Sequence, residues 1–161
     1  MHEDSKALLM ADVPLVRAAM TAHGNVPGVA EAGLWCLLNL AAHVYNSEAL
    51  MAEVPLVRAA LSAHGDVVGV VEAGLGCLCM LASNADNTAA LLAEVPLVCA
   101  CAGPHIGVAA VASACTQFFG SLAHDEALRP GLRAAGVAGV VSTAAAVIPH
   151  WIQRAFLGWL Q

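Results

Sequence analysis

The segment ADVPLVRAAMTAHG at residues 11–24 returns as AEVPLVRAALSAHG at 52–65, and AEVPLVCAC opens a third copy at residue 93. Pro14, Pro55 and Pro96 stand 41 residues apart, and so do His23, His64 and His105. Leu34 pairs with Leu75 at the same interval, and Leu37 with Leu78 and Phe119. Asn46 and Asn87 open two of the units, with Ser5 at the same phase. A looser fourth unit, LRAAGVAGVVSTAAA, follows after about one inserted residue, and the chain stops inside it. Units therefore run near 1–43, 44–84, 85–125 and 126–161. Self-similarity at this period is the mark of stacked supersecondary units, each unable to bury its apolar face alone.

Each unit reads as three helices, so the fold is all-α. The first helix is short, SEALMAE or TAALLAE, with Asn46 and Asn87 as N-caps. Val-Pro then opens the second helix, where proline suits the first turn. Leu56, Val57, Ala60 and Leu61 form its apolar stripe, and His-Gly ends it, with glycine as the C′ residue. The third helix, DVVGVVEAGLGCLCMLAS, is the longest, and Asp66 is placed to cap it. It is apolar nearly all round and reads as the buried spine of the stack.

Composition narrows the function classes. Net charge is −6, and the basic residues Lys6, Arg17, Arg58, Arg129, Arg133 and Arg154 are scattered. No basic stripe can neutralise phosphates, which argues against nucleic acid and anionic lipid surfaces as partners. Val95–His124 and Ala134–Gln153 lack Asp, Glu, Lys and Arg, but both are rich in Ala and Gly and hold proline and histidine. Both align with charged copies elsewhere, so neither reads as a membrane span. MHEDSKALLM is acidic where a secretory signal is basic, and an intracellular, cytoplasmic location is expected.

Cys36, Cys77, Cys79, Cys99, Cys101 and Cys115 include two C-x-C pairs. Residues two apart on a helix point about 200° from one another, so such a pair is poorly arranged for one metal. The thiols read as small buried hydrophobes. His23, His64 and His105 lie along the stacking direction, where helices pack ~8–10 Å apart. One metal cannot bridge two of them, and they read as helix-end residues facing the C-terminal dipole. His43, His124 and His150 show no pairing. Nucleophile-elbow, phosphate-loop and H-E-x-x-H patterns are absent, so no catalytic residue, metal or cofactor is expected.

EAGLWCLLNLAAH at 31–43 resembles the third helix of an armadillo repeat, with Trp35, Leu37, Asn39, Leu40 and Ala41 in register. MAEVPLV resembles the opening of that family's second helix, its glycine–alanine step shortened. The resemblance covers nearly the whole chain; HEAT repeats, the nearest rival, lack the separate short first helix. It implies a right-handed superhelical α-solenoid of about four three-helix repeats, the last truncated. It further implies a groove, lined by the third helices, that binds a peptide or partner helix. The groove residues implied are Glu31, Trp35, Asn39, Glu72, Gly76, Met80, Ser113, Gln117 and Ser121. Trp35 and Asn39 share a helix face. Their equivalents are Gly76 and Met80, Gln117 and Ser121, and Gly158 for the tryptophan. One Trp/Asn pair in place of a ladder argues against an importin-like receptor for basic signals. The C-terminal segment adds an apolar candidate interface, Trp151, Phe156 and Trp159, suited to a further protein or to a second copy of this chain.

Overall fold

The computed structural model describes residues 10–148, and every element among them is helical. Three α-helices recur along the described residues, a one-turn helix followed by two longer ones. Helix α1 spans Val13–His23 and α2 spans Pro27–Ala41. A one-turn helix α3 (Ser47–Leu50) leads to α4 (Val54–Ala63) and α5 (Val68–Ala82). The pattern repeats as α6 (Thr88–Leu91), α7 (Val95–Ala102) and α8 (Ala109–Ala123), then shortens to α9 (Arg129–Ala134) and α10 (Val137–Ala144). Pro14, Pro55 and Pro96 each sit in the first turn of their helix, where the missing N–H has no intrahelical acceptor to lose.

The three long helices α2, α5 and α8 lie side by side. The middle one is the most enclosed, with Val70, Val71, Leu75, Leu78 and Leu81 fully buried. The core runs on through Leu34, Leu37, Leu61, Val98, Phe118, Phe119 and Leu122. Packing here matches large residues with small ones. A Cβ on Gly33 would fall 2.4 Å from Met20 Sδ, and one on Gly74 would fall 2.7 Å from Leu61 Cδ2. One period later the sizes are exchanged: Ala102 stands for the Met20/Leu61 position and Cys115 for the glycine, both fully buried. Interiors at crystal-like density require this compensation.

Polar contacts between successive units recur as well. Arg17 Nε donates to Glu53 Oε2 at 3.0 Å, and Arg58 Nε to Glu94 Oε2 at 3.0 Å, each with a second N–H on the other oxygen. Glu53 is 4% and Glu94 2% exposed, so each buried carboxylate is held by a half-exposed guanidinium. The hydrogen bond and the glutamate charge raise both arginine pKa values. The next copy replaces this pair by Cys99, whose Sγ lies 3.9 Å from the Ala135 carbonyl.

Several expectations are corrected. Asn46 and Asn87 occupy N-cap positions but make no capping bond. Their Nδ2 atoms instead donate to Leu40 and Leu81 carbonyls, at 3.1 and 3.0 Å, closing the end of the preceding long helix. Arg129 Nε does the same for Ala123, at 2.9 Å and again six residues back, so arginine takes over the asparagine's task. Asp66 is exposed and makes no cap bond; the N-cap of α5 is Val67. The His-Gly glycines do not adopt the left-handed conformation. Gly24 has φ −62°, and among the described residues only Gly136 has a positive φ. Glycine is needed at 24 because a Cβ would sit 2.6 Å from the Met20 carbonyl oxygen. Nor do His64 and His105 face their own helix ends. His64 Nε2 bonds the Gly24 carbonyl at 2.7 Å and His105 Nε2 the Gly65 carbonyl at 3.1 Å, each reaching back one unit.

Of the two stretches weighed as membrane spans, Val95–His124 folds as α7, a short 3-10 turn and α8. Ala134–Gln153 runs beyond the described residues. The run Ala85–His105 is long and apolar enough to cross a membrane by length and composition. It is broken into alternating 3-10 and α segments, and Leu91, Val95 and Val98 are buried in the core.

Candidate functional site

The nine groove positions sit four and eight residues apart on α2, α5 and α8. Glu31, Trp35 and Asn39 belong to the first helix, Glu72, Gly76 and Met80 to the second, and Ser113, Gln117 and Ser121 to the third. All nine reach solvent: Trp35, Asn39 and Gln117 are exposed, the other six half-buried. Trp35 is 37% exposed and therefore belongs to the surface. Because the three helices are adjacent, the positions form one strip across them.

The strip is ordered by its own contacts. Asn39 Nδ2 donates to the Trp35 carbonyl at 2.8 Å, and Gln117 Nε2 donates to Ser113 Oγ at 2.8 Å. Leu38 leans across from α2 onto Gly76, where a Cβ would be 2.4 Å from Leu38 Cδ1. One unit on, Cys79 approaches Gln117 Oε1 at 4.0 Å in the same relation. Leu38 is thus part of the strip, although the Trp/Asn register does not single it out. The signal was the glycine opposite it, 38 residues later. The Glu31 carboxylate lies against Gly69, where a Cβ would come within 2.6 Å of it. Gly69 is in the first turn of α5, so the charge sits at the positive end of a helix dipole. With Glu72, it gives one end of the strip a negative charge. Arg17, Arg58, Arg129 and Arg133 all lie on α1, α4 and α9, away from it.

Two clefts lie elsewhere. One of about 560 Å³ opens between α1 and α4, lined by Met20, Gly24, Leu56, Ala59, Ala60 and Ala63. Another of about 310 Å³ is lined by Gly103, Ile106, Gly136, Gly139, Val140 and Thr143. Neither contains a residue of the strip, which is an open face.

The thiols are free. Cys77, Cys79, Cys101 and Cys115 are buried and Cys99 is half-buried, but Cys36, the equivalent of Cys77, is exposed. The expectation of burial fails at Cys36 because its side of α2 carries no neighbouring long helix among the described residues. Burial pushes the Cys77 thiol up to about 12 and Cys79 to about 11. Cys115 is raised further, by burial first and by Cys99 and Cys79 after it. Such thiols are protonated at neutral pH and make poor nucleophiles. Among the described residues no three His, Cys, Asp or Glu side chains are grouped to hold a metal. Trp151, Phe156 and Trp159 lie outside the described residues, as do Ser5 and His150. No protein-family model matches the chain, and no curated protein or solved structure shows significant similarity to it.

Proposed function

We propose that the chain is a non-enzymatic protein-interaction module, a right-handed solenoid of about four armadillo-like repeats. Its face of third helices binds an extended peptide or a partner helix. The observation that carries this reading is the strip itself. Every fourth residue on three adjacent helices reaches solvent, while Leu34, Leu37, Leu75, Leu78, Cys115 and Phe119 behind it are buried. Trp35 offers a flat apolar wall. The Asn39 and Gln117 amides each carry donors and an acceptor, as a peptide backbone requires. Buried, protonated thiols fit a scaffold better than a thiol enzyme, and free cysteines suit a reducing intracellular compartment.

The test is selection of a displayed peptide library on the purified chain, with titration calorimetry of the enriched peptides. Trp35→Ala/Asn39→Ala should weaken them about tenfold or more, the range of an interface hot spot, with far-UV circular dichroism unchanged. Enriched peptides that bind the double variant equally well, or a selection that enriches none, would remove the strip as the functional surface. A second reading, self-assembly, is supported by a different observation: Leu15, Ala18 and Ala19 are exposed on α1, Leu15 at 69%.

A further inference from the structure

Along the strip, acidic and large apolar side chains are confined to α2 and α5, and α8 continues it with serine and glutamine. The furrow between α2 and α5 therefore has a chemistry of its own. Leu38 forms its floor, with Cδ1 occupying the space above Gly76. Trp35 stands three residues back on the same helix, and Met80 lies one turn beyond Gly76. Glu31 and Glu72 mark one end, eight residues before Asn39 and Met80, or about 12 Å at 1.5 Å per residue. Among the described residues no hydrogen bond or ion pair reaches either carboxylate. The Glu31 carboxylate rests over Gly69, where a Cβ would come within 2.6 Å of it. On α8 the equivalent residue is Ala110, whose Cβ denies Glu72 the same seat.

Resting on the strip as the binding face, we propose that its occupant is an amphipathic helix of a partner protein, lying antiparallel in the furrow between α2 and α5. Its aliphatic side chains at i and i+4 cover Met80 and then Leu38 beside Trp35, and a Lys or Arg at i+7 reaches Glu31 and Glu72. Charge selects the cation. The furrow holds two carboxylates without partners, and the described arginines lie on α1, α4 and α9. A cation placed between the carboxylates makes charge-assisted hydrogen bonds with them. The backbone selects a helix over a strand. Asn39 Nδ2 already donates to the Trp35 carbonyl and Gln117 Nε2 to Ser113 Oγ. Between those amides α5 offers only Gly76 and Met80, so a strand crossing the three helices finds no polar side chain midway. A helix satisfies its main chain internally and needs only an apolar face with anchors at i, i+4 and i+7. Dipoles select the sense. The partner's C-terminal turn, where Lys and Arg are favoured, then lies by the positive N-terminal ends of α2 and α5.

The test is display selection on the full chain from two peptide libraries of equal diversity. One is built on an alanine-rich helical scaffold, and the other is barred from helix by a central proline. The helical library should be enriched, with aliphatic residues at i and i+4 and Lys or Arg at i+7. In titration calorimetry, glutamate in place of that basic residue should weaken binding to the wild-type chain about tenfold, and so should Glu72→Lys in the chain. The two changes together should restore binding, because the swapped pair again attracts, with circular dichroism reporting the fold of the variant. Moving the basic residue to the other end of the peptide should cost as much, since the furrow has its acids at one end. Enrichment of the proline library instead, with binding lost on Trp35→Ala, would overturn the helix and leave the strip as the binding face. Helical peptides that need no cation, or that bind Glu72→Lys unchanged, would overturn it too. Enrichment of neither library would remove the strip and this proposal with it.

Discussion

Single residues in this chain are interpretable because each has counterparts one period away. Gly74 and Leu61 occupy one space, since a Cβ at 74 would meet Leu61 Cγ at 2.9 Å. Gly74→Ala should therefore destabilise by ~1–3 kcal/mol through overpacking, measured by urea unfolding. The third unit shows the remedy, Ala102 with Cys115. The double change Leu61→Ala/Gly74→Cys should recover most of the loss, whereas Leu61→Ala alone should cost ~2–5 kcal/mol as a cavity mutant. The buried thiols give a pH dependence of known sign. Cys77 is raised from 9.0 to about 12, so it stays protonated when folded and ionises when unfolded. Above pH 9 the unfolded chain binds fewer protons, and stability falls as pH rises toward 12. The limiting slope is about 1.4 kcal/mol per pH unit for each such thiol. Cys77→Ala should flatten that alkaline limb in denaturant titrations at stepped pH. Without a slope change, the thiol would have to be more solvated than its burial indicates.

Among the elements, the joints between long helices and the next short helix depend on one amide each. Asn87 Nδ2 donates to the Leu81 carbonyl at 3.0 Å and to Ser47 Oγ at 2.9 Å, and Ser47 is itself buried. Removing that donor leaves the Leu81 carbonyl and the Ser47 hydroxyl with their longer bonds alone, Ser47 Oγ to the Leu81 carbonyl at 3.4 Å and Asn84 N–H to the same carbonyl at 3.3 Å. Asn87→Ala should cost ~0.5–1.5 kcal/mol for each bond lost, the net value of a hydrogen bond whose acceptor keeps another partner. Asn46→Ala should cost less, because Asn46 serves only the Leu40 carbonyl. Calorimetric melting of the two variants side by side decides the order. These joints also show how far the sequence could be read. The helix pattern was legible because the apolar period and the Val-Pro starts repeat with little drift. The asparagines were legible as important but not in role. An N-cap and a back-bond to position i−6 use the same residue at the same place, and only the three-dimensional turn separates them. The exposure of the strip on α2, α5 and α8 followed from register. Leu38 did not, since its contact with Gly76 crosses between helices.

Across the whole molecule, what repeats is an interface rather than a helix. Each junction between the first three units combines an Arg–Glu pair and a histidine-to-carbonyl bond. None of these was legible in sequence as a contact, because the partners lie 36 to 40 residues apart and local spacing does not announce them. The charge pairs should behave as buried ion pairs do. Arg58→Ala leaves the Glu94 carboxylate buried and alone, so it should lower Tm well below the effect of an exposed-site change such as Glu48→Ala. Arg58→Ala/Glu94→Leu should regain much of that loss, since an apolar residue tolerates the site better than an unpaired charge. The ladder also fixes where the molecule opens. α5 is clasped on both sides by α2 and α8 and buries ten of its fifteen residues, while α1 buries only Val13 and Met20. The third junction has Cys99 facing a carbonyl in place of an ion pair, and α10 is short. Helices that bury fewer of their residues open first. Hydrogen exchange should show the slowest amides in α5, intermediate ones in α2 and α8, and the fastest in α1 and α10. Equal protection from α1 to α10 would mean that the units unfold as one block and that their interfaces are far stronger than these contacts imply.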